Sequence, residues 1–177
     1  MHEQIKLDEA RHFLAGITAA VDDPTSFRFE LSAFLSSARS VLQYAREEAT
    51  TKTGGQAWFD THATNSPVLK FFKDKRDVNI HVQPVVPAAT INVAATDVIQ
   101  FSEGILLQVF DSEGNLISER GGGSGSLPPA PSPLPSISRV YHFPDWTGQE
   151  DVLQLCHDYV SALETVVNDG RSQGFIT

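Results

Sequence analysis

The chain has 177 residues, of which 41% are apolar and 20% are charged, and its formal net charge is −9. This composition is typical of a globular protein with one sizeable core, excludes a disordered chain, and argues against strong nonspecific binding of nucleic acid. The single cysteine excludes a disulfide framework within the chain and a cysteine-cluster zinc site. The sequence shows neither the pattern of a signal peptide nor a run of about 20 successive apolar residues, so we expect a soluble, cytoplasmic protein that does not bind a membrane.

Apolar residues recur every three or four positions in several stretches of the chain, which predicts helices. The expected helices are residues 4–21, 24–48, 56–64, 67–82 and 150–168. Asp23 and Ser66 each precede a proline, which is typical of an N-cap followed by proline at the first helical position. Before the last helix, Thr147 and Glu150 have the spacing of a capping box, and Gly170 is expected to end that helix.

Between the fourth and fifth helices the apolar pattern changes to alternation, which predicts strands. We expect strands at 91–101, 105–109, 116–117 and 137–143, with a hairpin loop at 111–115. Residues 121–135 are rich in glycine and serine and then in proline, which predicts a mobile, dispensable loop. The predicted fold is therefore mainly α: an up-and-down bundle of four or five helices in a single domain, residues 1–177, with a small antiparallel β insertion at 85–143.

The fourth helix carries the residues most suited to chemistry. Arg76 falls on the apolar stripe of that helix, where a guanidinium is costly to bury, so it is either paired with a carboxylate or lines a wet cleft. His81 lies about 7.5 Å further along an ideal helix and about 140° round it, and the approach of Pro84 should loosen the helix there. A permanent cation and a group that exchanges protons near neutral pH are what transesterification of RNA requires.

Three lysines precede Arg76 and form with it the one clearly basic stretch of the chain: Lys70, Lys73 and Lys75. A local basic patch on an acidic protein can accept a phosphate backbone at one place, so these lysines are candidates for RNA binding. The alternative reading from charge alone is a solvated helix face.

Segment 76–81 resembles the signature of the HEPN (higher eukaryotes and prokaryotes nucleotide-binding) superfamily, an Arg followed after four to six residues by a His. Residues 34–42 are also similar to the second helix of some bacterial HEPN-like proteins, and the resemblance covers roughly 5–84 and 150–168. It implies a homodimer in which two copies of the motif face one cleft and cut RNA without a metal or other cofactor. It implies that Arg76 and His81 are the catalytic pair and that Asp77, where Asn is more usual, supports them.

The resemblance also implies a toxin or phage-defence setting, with an antitoxin or other protein partner. The alternative is a noncatalytic helical module that binds a protein or nucleotide partner. In that case Arg76 pairs with an acid for structural reasons, and His81 caps the helix C-terminus, where the helix dipole favours imidazolium.

Other polar and aromatic residues are expected to be structural. Arg39, beside the stripe of the second helix, is expected to be a buried or half-buried ion-pair partner. No ligand stands at metal-binding spacing from the histidines of the helices, so no metal site is expected. Cys156 and four aromatic residues are expected to pack in the core or at an interface rather than to stack on bases: Trp58, Phe59, Tyr141 and Trp146.

Overall fold

The computed structural model describes residues 2–81, 84–94, 105–122 and 136–177. Within them it contains five helices, α1 (His2–Ala19), α2 (Pro24–Thr50), α3 (Gly55–Asn65), α4 (Pro67–His81) and α5 (Val152–Ser172). It also contains four strands, β1 (Ala88–Ala94), β2 (Ile105–Phe110), β3 (Leu116–Gly122) and β4 (Ser136–His142). The prediction of a mainly α fold with small β elements before the last helix is confirmed.

The chain divides into two compact units, one formed by residues 1–91 and 138–177 and the other by residues 92–137. The first unit contains all five helices, and the second lies within the insertion predicted at 85–143. Among the described residues, no helix combines the length and apolar character needed to cross a bilayer.

The core of the helical unit is organised around α2, which contacts each of the other four helices. Phe72 of α4 and Tyr159 of α5 stack with 4.4 Å between ring centroids and 2° between ring planes. Phe34 of α2 meets both rings edge on. All three side chains are fully buried. This aromatic contact fixes how α2, α4 and α5 face one another, because large side chains in a close-packed core allow few alternative arrangements.

The helix starts marked by proline form as the sequence predicts. The Asp23 carboxylate accepts hydrogen bonds from the backbone N–H groups of Thr25 and Ser26, at the start of α2. The Ser66 hydroxyl accepts one from the backbone N–H of Leu69, at the start of α4. Both side chains satisfy N–H groups that the first turn of a helix leaves without partners.

The capping box predicted at Thr147 and Glu150 is wrong. The N-cap of α5 is Asp151, whose carboxylate accepts a hydrogen bond from the backbone N–H of Gln154 at 2.8 Å. Glu150 instead accepts one from the indole N–H of Trp146 at 2.7 Å. The local spacing fitted a capping box, but an aspartate that can cap is available closer to the apolar stripe.

The helix stop predicted at Gly170 is also wrong, because Gly170 is buried inside α5. A Cβ atom there would lie 2.6 Å from Cδ1 of Ile176 and 2.8 Å from the ring of Trp58. Glycine is therefore needed for close approach and not for termination. The chain turns after Ser172, and Gly174 adopts the left-handed conformation that commonly follows a helix, with φ = 76°.

The strands form two small sheets. β2 and β3 pair antiparallel through a turn at which Gly114 has φ = 87°, and β1 pairs with β4. β3 continues to Gly122, so the first two residues of the loop predicted at 121–135 are strand. Residues 123–135, and the part of the predicted strand at 95–101, lie outside the described residues.

Candidate functional site

Two neighbouring cavities lie against α2, and both are lined by Arg39 and Arg46. The first, the guanidinium cavity, has a volume of about 450 Å³ and is lined by Arg39, Gln43, Arg46, Glu47 and Thr50 of α2 and by Arg76 of α4. The second, the mixed cavity, has a volume of about 420 Å³ and is lined by Arg39, Leu42 and Arg46 of α2, by Phe59, Asp60, Ala63 and Thr64 of α3, and by Leu69, Lys70 and Lys73 of α4. We call the two together the basic groove, after its five cations: Arg39, Arg46, Lys70, Lys73 and Arg76.

Helical periodicity explains why these cations share one groove. Arg39 and Arg46 are seven residues apart on α2, which is close to two turns and places them on the same face. Lys70, Lys73 and Arg76 follow one another at intervals of three on α4, which also keeps them on one side of the helix. The packing of α4 on α2 then brings the two rows together.

Two of the three arginines keep their charge available to a ligand. In the part of the chain that the structure describes, the guanidinium groups of Arg39 and Arg46 form neither an ion pair nor a hydrogen bond. The ion pair expected for Arg39 is therefore not found there, although the side chain is half-buried as expected. Arg46 is exposed and Arg39 half-buried, so both guanidinium groups are open to an anion in solution.

Arg39 also acts on the core behind the groove. The Tyr159 hydroxyl is buried and has no hydrogen-bond partner among the described residues. Burial raises the pKa of this hydroxyl well above its ordinary value, and the positive charge of Arg39 partly opposes that rise. The groove therefore lies within electrostatic reach of the polar end of the central aromatic stack.

Arg76 combines the two situations expected for it. Its Nη1 donates a hydrogen bond to Oδ1 of the neighbouring Asp77 at 3.1 Å, and its side chain, 27% exposed, lines the guanidinium cavity. Its Nε is buried without a partner among the described residues. A buried donor without an acceptor costs about 1–3 kcal/mol unless water or a ligand accepts its hydrogen bond.

The rest of segment 76–81 is anchored by Asn79, which sequence reasoning missed. Its side-chain amide donates to the Ser32 hydroxyl of α2 at 2.9 Å, and its carbonyl oxygen accepts from the backbone N–H of Val85 at 3.0 Å. The end of α4 is thereby tied both to α2 and to the chain that follows. His81 is the last residue of α4, and its side chain lies outside the described part, so the pairing of Arg76 with His81 stays a prediction.

The three candidate lysines separate into two groups. Lys70 and Lys73 line the mixed cavity, whereas Lys75 does not line either cavity. The Lys75 ammonium pairs with Asp145 and lies about 5 Å from the ring centroids of Phe71 and Phe143. These interactions hold the Lys75 side chain between α4 and the segment before α5, outside the two cavities.

A second polar cluster joins α3 to the end of α5. The Asp169 carboxylate accepts hydrogen bonds from the indole of Trp58 at 2.6 Å, from a ring nitrogen of His62 at 2.9 Å and from the Gln173 side chain at 2.8 Å. The bond from Trp58, followed by those from His62 and Gln173, lowers the pKa of Asp169. This cluster is a structural clamp, and no group of three or more metal-binding side chains occurs among the described residues.

The chain matches no protein-family model, no curated protein and no solved structure. The basic groove and segment 76–81 are therefore the features of this chain that bear on its function.

Proposed function

We propose that the chain is a HEPN-like RNA-binding protein that cleaves RNA without a metal and acts as a homodimer. One observation carries the proposal: three arginines from two helices surround one cavity, on a chain whose net charge is −9. An acidic body repels polyanions at most of its surface, so a cationic groove selects where the phosphate backbone binds. Guanidinium groups suit this task because each presents a planar fork of donors to phosphate oxygens.

The proposed chemistry divides the work between two side chains of segment 76–81. The 2′-oxygen of a ribose attacks the adjacent phosphorus, and the 5′-oxygen of the next nucleotide leaves, which yields a 2′,3′-cyclic phosphate and a 5′-hydroxyl. Arg76 would stabilise the charge that develops on the phosphoryl oxygens. His81 would move the proton that the 2′-hydroxyl loses or the leaving oxygen gains, and two copies in a dimer would supply both transfers.

The test uses labelled single-stranded RNA and the purified full chain. We expect cleavage to persist in EDTA, because no step uses a metal, and we expect His81→Ala to bind RNA but not to cut it. Light scattering at micromolar concentration should give the mass of a dimer. A monomer mass would remove the composite site, and a wild-type protein that leaves varied RNA substrates intact would remove the nuclease.

A second candidate function, a noncatalytic module that binds a protein partner such as an antitoxin, is favoured by a different observation. The β2–β3 hairpin exposes five large apolar side chains, each between 44% and 64% exposed: Leu107, Val109, Phe110, Leu116 and Ile117. A two-stranded hairpin is marginally stable alone, and clustered exposed apolar residues mark interaction sites. An inactive protein that loses its co-purifying partner when Ile117 is replaced by Lys would favour this module over the nuclease.

A further inference from the structure

We propose that the basic groove binds a nucleoside phosphate in two parts, with the phosphate in the guanidinium cavity and the base in the mixed cavity. The inference rests on the proposed function in one respect, since RNA is one source of such a unit. A free mononucleotide has the same chemistry and is the other source. The experiment below separates the two.

The phosphate part follows from the three arginines. Arg39 and Arg46 of α2 and Arg76 of α4 approach the guanidinium cavity from two helices, and a tetrahedral phosphate offers oxygens in as many directions. Glu47, the carboxylate that also lines this cavity, accepts a hydrogen bond from Gln43 at 3.3 Å. The three arginines carry three positive charges, against the negative charges of Glu47 in the cavity and of Asp77, which pairs with Arg76, so one net positive charge is left for a phosphate.

The base part follows from the walls of the mixed cavity. Four of its lining residues are apolar and come from three helices: Leu42, Phe59, Ala63 and Leu69. Leu42, Phe59 and Leu69 also belong to the buried core, so this wall is rigid and low in polarity. A volume of about 420 Å³ lies in the range of small-molecule sites, roughly 300–1,000 Å³. Apolar walls beside a cationic cavity suit a planar heterocycle attached to a phosphate.

Asp60 adds selectivity to the mixed cavity. Its Oδ1 accepts a hydrogen bond from the Gln56 side chain at 2.7 Å, which orients the carboxylate. Its other oxygen can accept a hydrogen bond from the exocyclic amino group of a base. Uracil carries no such group, so we expect cytosine to bind better than uracil.

Arg39 and Arg46 join the parts into one site, because both line both cavities. A sugar would then lie beside these two arginines, between its phosphate and its base. Neither inorganic phosphate nor a nucleoside fills the groove alone.

The experiment is isothermal titration of the full chain with CMP, UMP, ribose 5-phosphate and inorganic phosphate. We expect CMP to bind about tenfold more tightly than ribose 5-phosphate, and UMP to bind more weakly than CMP. Arg39→Gln should weaken the binding of all four ligands. Asp60→Asn, an exposed and conservative change, should remove the preference for CMP over UMP. Ala63→Phe should fill the mixed cavity and lower the affinity for CMP to that for ribose 5-phosphate. Circular dichroism checks that this variant is folded.

Equal binding of CMP and ribose 5-phosphate would overturn the inference, as would no binding of CMP. Parallel RNA-binding and cleavage assays separate this failure from that of the proposed function. RNA that is bound and cut by a protein indifferent to the base would leave the nuclease standing and remove the base site. CMP that binds as expected, to a protein that neither binds nor cuts RNA, would support the nucleoside phosphate site with the free mononucleotide as its source and remove the nuclease.

Discussion

Replacement of Arg76 by Ala should change the free energy of unfolding by no more than about 1 kcal/mol. The ion pair with Asp77 joins side chains that are 27% and 46% exposed, and such pairs contribute roughly 0–1 kcal/mol. Removal of the Nε donor, which has no protein partner among the described residues, offsets part of the packing that the aliphatic stem of Arg76 provides. Because a chain of this length melts about 2–4 °C lower per kcal/mol, the melting temperature should move by only a few degrees.

The same substitution should weaken RNA binding. The logarithm of affinity falls with the logarithm of salt concentration, and removal of one phosphate contact on single-stranded RNA makes that negative slope shallower by about 0.7. The matched control is Arg139→Ala: that side chain is also 27% exposed, lies outside the basic groove and donates a hydrogen bond to the backbone carbonyl of Asp22. It removes the same charge from a position outside the groove, where no phosphate contact is proposed, so the slope should stay unchanged. Fluorescence anisotropy over a salt series measures binding, and calorimetry measures melting.

Two results would refute this reasoning. A fall in melting temperature of about 6–20 °C, which corresponds to the roughly 3–5 kcal/mol lost when a buried pair is broken, would make Arg76 a structural cation. Equal loss of affinity in the Arg76 and Arg139 variants would show that net charge, and not the groove, governs binding.

Three further results are expected. Asp77→Asn removes the carboxylate that competes for the Arg76 guanidinium, so RNA affinity measured by anisotropy should rise, and an unchanged or lower affinity would contradict the role given to the pair. Asp151→Ala removes the N-cap of α5 and should cost about 1 kcal/mol in urea unfolding, whereas Thr147→Ala should cost little; the reverse order would restore the capping box. Gly170→Ala improves helix propensity but places a Cβ against the core, so it should destabilise by about 1–3 kcal/mol, and a stabilised variant would show that the packing there can yield.

The helices were predictable because their signals are local and repeated. The stripe through Phe27, Leu31 and Phe34 is buried along its length, and several matching positions outweigh an error at any one of them. Single-residue signals were less reliable. Gly170 had the sequence context of a helix stop, but its role is set by the packing of Ile176 and of Trp58, which lies more than 100 residues earlier in the chain, against its Cα.

The basic groove was only partly predictable for the same reason. The interval of three from Lys70 to Arg76 indicated one basic side of α4, and the interval of seven between Arg39 and Arg46 could have indicated a second on α2. That these two sides face each other depends on how the aromatic core sets the rotation of each helix. The apolar wall from α3 depends on where that short helix packs, which its own sequence does not specify.

The groove draws its lining from three helices that also build the core, so an occupant would act as a cross-link between α2, α3 and α4. A ligand that binds only the folded chain adds about 2.7 kcal/mol of stability at one hundred times its dissociation constant. For a chain of this size that corresponds to about 5–11 °C in melting temperature. The melting temperature therefore reports whether the groove is occupied. A dye-based melting screen of phosphorylated compounds can search for the natural ligand without any assay of catalysis.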